Sequence, residues 1–165
     1  MFEVTLKDLR GADACVEGYN KLVCHLSGKP FDAGLETHIR FTHKEQVSIL
    51  TILESNGIDD ALWALRCVKG HDRDLRLYAV WCARQVEHLN ADERLKNCND
   101  VSERFANGEA TQEELDAARD AARAAARAAA AAAAASAAAR DAAWAEQKEM
   151  LIKMCNGVAP WQVEK

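Results

Sequence analysis

The sequence predicts an all-α protein, an irregular helical bundle of antiparallel helix hairpins plus one long alanine-rich C-terminal helix. Three observations carry this reading. Apolar residues recur at helical spacing along most of the chain, the pattern of helices with one buried face. Only two prolines and eight glycines punctuate 165 residues, and these are the residue types that break helices. Alanine, the strongest intrinsic helix former, fills 21 of the 29 positions from 117 to 145.

The elements follow in order. Cys15, Val16, Tyr19, Leu22, Val23 and Leu26 form one apolar stripe, which predicts a helix over about 12–26 ended by Ser27-Gly28-Lys29-Pro30. Residues 31–41 have no period and read as a loop. Thr42 and Glu45 have the spacing of a capping box, which predicts a helix over 42–55. Asn56-Gly57 stops it, and Asp59 is placed to cap a helix over 59–69. Leu75, Tyr78, Cys82, Val86 and Leu89 line one face of a helix over 74–89, and Leu77 and Trp81 a second, so this helix is expected to have neighbours on two sides. Asn90 or Asp92 is placed to open a helix over 92–106, which closes at Asn107-Gly108. Residues 1–110 are thus expected to form a helical body.

Thr111 and Glu114 form a second capping box, and no glycine or proline follows until Gly157 and Pro160. A single rod over residues 112–155 would span roughly 65 Å, against a body of about 30 Å, so this segment is expected either to project beyond the body or to break and pack on it. The long segment is taken as 111–156, with 157–165 as a tail.

Composition narrows function. Six cysteines without a basic, apolar leader in Met1–Asp8 read as free core thiols in a reducing cytoplasm. No apolar run has membrane length, so no membrane partner is expected. A net charge of −5 argues against a nucleic-acid partner, which favours a basic face. No paired Cys or His spacing suggests a metal, no cofactor motif is present, and no catalytic constellation stands out.

Two polar groups remain. His71, Asp72, Arg73, Asp74 and Arg76 make the densest polar turn, readable as a His-Asp acid–base pair or as a helix start with acids at the positive end of the dipole. Arg119, Arg123 and Arg127 form a ridge spaced by four, with Arg140 beyond; together with Trp144 they are the candidate partner-binding residues. Trp63 and Trp81 are expected in the core and Trp161 at the surface.

Three blocks also carry a resemblance: Asn56 to Arg66, His71 to Asn90, and Glu103 to Thr111 running into the alanine-arginine helix. Together, over roughly residues 45–155, they resemble small alanine-rich bacteriophage and prophage proteins of the immunity protein type. The resemblance implies a phage-encoded accessory protein in the cytoplasm of a bacterial host cell, with no catalytic residue to carry over. The expected function is non-enzymatic: binding a bacterial or competitor protein, such as a defence component or toxin, and inhibiting or neutralising it. Two alternatives stand beside it. One is a self-associating structural protein, a homo-oligomer paired through the alanine-rich helix. The other is an enzyme or nucleotide-binding module centred on the His71-Asp72-Arg73-Asp74 turn.

Overall fold

The computed structural model describes residues 1–89, 92–129 and 137–163; the side chains of Leu89 and of residues 127–143 lie outside that description. The chain is predominantly helical, with one short strand pair among the described residues. It forms two compact units, Met1–His71 and Asp72–Lys165. The boundary expected at 110 marks a change of composition, whereas compactness divides the chain at 71/72. Among the described residues no helix is long and apolar enough to cross a membrane.

In the first unit, β1 (Glu3–Val4) pairs antiparallel with β2 (Val47–Ser48), Glu3 opposite Ser48 and Val4 opposite Val47. The Ile49 N–H also donates to the Phe2 carbonyl at 2.9 Å. This pairing displaces the expected helix over 42–55. A lone capping box contributes only about 1 kcal/mol, less than burying Val4, Val47 and Ile49. The helix α3 therefore runs over Ile49–Asn56, where Ser48 Oγ accepts from the Thr51 N–H at 3.0 Å.

A helix that the periodicity did not predict, α1 (Leu6–Gly11), starts at a reciprocal cap. The Asp8 N–H donates to Thr5 Oγ1 at 3.0 Å and the Thr5 N–H to Asp8 Oδ2 at 3.2 Å. The Thr5 hydrogen bond, and then Lys69 at 2.9 Å, hold the Asp8 carboxyl down at about 2. Asp13 adopts a left-handed φ of 62°, which delays α2 (Val16–Ser27) relative to the helix expected from 12. Cys15 is exposed rather than in the core, and its Sγ accepts from the Gly18 N–H as the cap of α2.

Gly57, at φ 96°, separates α3 from α4 (Ile58–Ala64), as the Asn-Gly pair predicts. Gly57 itself occupies the cap position, and Asp59 falls within the first turn. A 3₁₀ turn, Leu65–Cys67, follows, so the helix expected to reach 69 ends earlier. The loop over residues 29–46 is held by Asn20, which is 0% exposed. Its Nδ2 donates to the Thr37 carbonyl at 2.9 Å, and its Oδ1 accepts from the Ile39 N–H at 2.8 Å. His38 Nε2 lies 2.9 Å from the Ala14 carbonyl oxygen, and its ring meets the Tyr19 ring edge-on.

In the second unit, α5 (Asp72–Gln85) packs against α6 (Glu93–Ala106), α8 (Ala137–Cys155) and α9 (Pro160–Val163), while α6 packs against α7 (Gln112–Ala129). Helix α5 thus has more than one helical neighbour among the described residues. The helix ends at Gln85 rather than 89, and Val86, placed on its buried face by periodicity, is exposed. Asp92, one of the two openings the sequence offers, caps α6 through the Arg94 N–H, and the Thr111–Glu114 box caps α7 through bonds of 2.7 and 3.2 Å, as the sequence predicts. Tyr78 donates its hydroxyl to the Gln147 carbonyl of α8 at 3.0 Å. Cys155 is half-buried, and burial pushes its thiol up to about 11.

The middle of the single rod expected over 112–155, residues 130–136, lies outside the described residues. Its two flanks nevertheless bear on the choice between a projecting rod and a broken one. The Arg73 guanidinium donates to Asn107 Oδ1 at 2.8 Å and to the Trp161 carbonyl at 3.2 Å. Even fully extended, the linking residues and these side chains span at most roughly 55 Å between Gln112 and Cys155. A straight rod needs roughly 65 Å. Both links are tight helix-end turns, Glu109 N–H to the Arg104 carbonyl and Val158 N–H to the Lys153 carbonyl, so the gap is shorter still. α7 and α8 therefore do not share one straight axis.

Both helices bury apolar side chains. Leu115, Ala118 and Ala125 of α7 are buried, with Leu115 and Ala118 clustered beside Val101, Cys98 and Phe105 of α6. Met150, Leu151 and Met154 of α8 are buried as well. Small side chains at 118 and 125 let α7 approach closely.

Asn20→Ala is expected to cost about 2–3 kcal/mol, because two backbone groups of the loop lose their buried partner. Urea denaturation measures the cost, and amide exchange at Ile39 should accelerate with it. A change within about 0.5 kcal/mol, the range of an ordinary surface substitution, would show that the loop does not depend on Asn20.

Candidate functional site

In α5, Asp72, Leu75, Arg76, Ala79 and Val80 fall at i, i+3, i+4, i+7 and i+8, which is one face of a helix. With Asn99 and Ser102 of α6 and Arg119 of α7 they line a cleft of about 380 Å³. The hairpin packing of α6 and α7 is what brings Arg119 to this face. It is half-buried there, whereas Arg123, one turn on, is exposed.

The cleft joins two cations. The Arg76 guanidinium lies 4.7 Å over the Phe105 ring, which fixes its plane. Among the described residues no carboxylate forms an ion pair with it. Arg119 meets Asp116 only at 3.9 Å, a partly exposed i,i+3 pair of little energetic weight. Burial lowers the proton affinity of Arg76, and the like charge of Arg119 lowers it further, against an opposing pull from Asp72. Two guanidinium groups lining one cleft offer hydrogen-bond donors and positive charge to an anion. Ser102 adds a hydroxyl, while the Asn99 amide nitrogen donates to Glu87 Oε2 at 3.2 Å.

Residues of the polar turn singled out in the sequence make separate contacts within each unit. His71 stacks on Phe2 at 4.2 Å within the first unit. In the second, Arg73 binds Asn107 and Trp161, and Asp72 and Arg76 line the cleft. The arginine ridge divides too. Arg119 faces the cleft, Arg123 pairs with Asp120 at 3.2 Å, and the side chains of Arg127 and Arg140 lie outside the described residues. Trp144 is 38% exposed on α8. Trp63 and Trp81 are half-buried rather than in the core, and Trp161 has its indole nitrogen buried rather than at the surface. Asn99 and Ser102 were not singled out by sequence; only their i,i+3 spacing on α6 hints at a shared face.

Among the described residues no three His, Cys, Asp or Glu side chains gather as a metal ion requires. No family model, curated protein or solved structure matches the chain.

Arg119→Gln is expected to raise stability by about 0.3–0.5 kcal/mol at low salt, the size of a like-charge pair relieved. High salt should stabilise the unsubstituted protein more than the variant, because salt screens the repulsion. Urea denaturation at the two salt levels reads both effects. A variant less stable at low salt would show that the two cations do not oppose each other.

Proposed function

We propose that the chain is a non-enzymatic, phage-encoded accessory protein that binds an acidic segment of a bacterial protein in the host cytoplasm and thereby inhibits or neutralises it. The observation that carries this reading is that Arg76 and Arg119 line one cleft and that, among the described residues, no carboxylate lies within ion-pair distance of Arg76, although Asp72 in the same lining attracts it. Guanidinium forks bind carboxylates in two-point geometry, and a partner's acidic side chain relieves the repulsion between them. Apolar Leu75, Ala79 and Val80 beside them suit the body of a peptide side chain. Trp144 supplies an exposed aromatic of the kind that dominates binding energy at interfaces. The resemblance to immunity-type phage proteins points to the same kind of action. A projecting rod no longer supports it, since α7 and α8 do not share one straight axis.

Immobilised protein exposed to bacterial lysate tests the reading by mass spectrometry. A partner retained in a salt-sensitive way is expected, with Arg76→Gln/Arg119→Gln losing at least about tenfold in retention, since each charge-assisted bond contributes about 1.5–3 kcal/mol. Equal retention by a folded double variant would contradict the reading.

A further inference from the structure

A second cleft, of about 220 Å³, lies wholly within the first unit, among the α1–α2 turn, α2, α3 and α4. We propose that it binds a small organic amine, an ammonium group carried on an apolar body. This site is independent of the arginine cleft.

The floor is apolar. Leu9, Leu22 and Ile52 are buried there, and Trp63 forms a half-buried wall. The Arg66 guanidinium sits 4.6 Å from the Trp63 ring centroid. The polar residues of the cleft are acidic or neutral: Asp13, Asp60, Asn56, Cys15 and Tyr19, with no Lys, Arg or His in the lining. The two lining carboxylates attract a cation and repel an anion, against the guanidinium groups of Arg10 and Arg66 that lie over the Tyr19 and Trp63 rings.

Asp60 is the better placed of the two carboxylates. Asn56 Nδ2 donates to its Oδ2 at 2.6 Å and to the Gly18 carbonyl at 2.7 Å, which locks the side chain between α2 and α4. A Cβ on residue 18 would fall 2.7 Å from Asp60 Oδ2, so glycine at that position is what lets the carboxylate lie against α2. Among the described residues nothing bonds the other oxygen of Asp60. A half-buried carboxylate with a fixed direction and a spare oxygen is an acceptor for an ammonium N–H. The volume accommodates roughly ten heavy atoms at protein packing density, the size of an arylethylamine. Neither carboxylate alone defines the ligand; the apolar floor beneath a fixed, acidic mouth does.

The probe is 2-phenylethylamine, titrated into the full chain and followed by amide and indole NMR shifts. Saturable shifts at Gly18, Asp60 and the Trp63 indole are expected. The uncharged isostere 2-phenylethanol should bind about tenfold or more weakly. Asp60→Asn should weaken the amine to a similar degree. Because that change also disturbs the Asn56 bond, Asp13→Asn serves as the second variant: asparagine tolerates the left-handed backbone at 13, and a loss of several-fold is expected. Cys15, an exposed thiol in the lining, should be protected from alkylation by the amine and not by the alcohol. Equal binding of alcohol and amine, absence of shifts in this cleft, or indifference to both substitutions each overturns the proposal. Tighter binding of a lysine-containing peptide than of the amine would overturn it too, by assigning the cleft to a protein partner.

Discussion

Both ends of the alanine-rich region return to one guanidinium. Arg73, in the first turn of α5, reaches the residue that caps α6 and a backbone carbonyl beyond α8. Each of these bonds is exposed and modest, on the order of 1 kcal/mol. Their weight is geometric, since a straight helix from 112 to 155 is too long to start and finish so close together. The larger stabilisation comes from packing, with Leu115, Leu151 and Met154 removed from water at about 1.5–3 kcal/mol apiece. Alanine serves this arrangement by being small, so that α7 lies close to α6 and its few large side chains carry the burial.

The arginine cleft is a consequence. With α7 laid on α6, one member of its arginine row turns toward α5 and meets Arg76. The remaining row contributes less, because Arg123 is paired with Asp120 on its own helix. The first unit shows the opposite polarity at its own cleft, where carboxylates stand over an apolar floor. Each unit thus carries a concave site of one dominant charge, and in both a helix hairpin brings together residues far apart in sequence.

Much of the fold was legible in the sequence, and the misses have physical causes. The Thr111 box and the Gly28 and Gly57 stops form as predicted, and Asp92 is one of the two caps expected for its helix, because each is a local hydrogen-bond or φ preference. The Thr42 box fails because strand pairing to Glu3–Val4 and the burial around it come from residues more than forty positions away. Cys15, assigned to the core by spacing, becomes an exposed cap because Asp13 breaks the helix before it. Asn20 gave no signal at all, since its role is to satisfy a loop without periodicity. At the site, Arg76 and Arg119 were each visible, but as members of separate sets. Their meeting depends on the α7 direction, which alanine repeats do not encode.

The most direct test of this account is a distance across the alanine-rich region. Spin labels introduced through an unnatural amino acid at Glu109 and Asn156, both exposed, report it by double electron–electron resonance. Tethering of both ends to Arg73 predicts a separation below roughly 40 Å, the reach of the intervening turns and side chains. A separation near or beyond roughly 65 Å, the length of one straight helix, would contradict it.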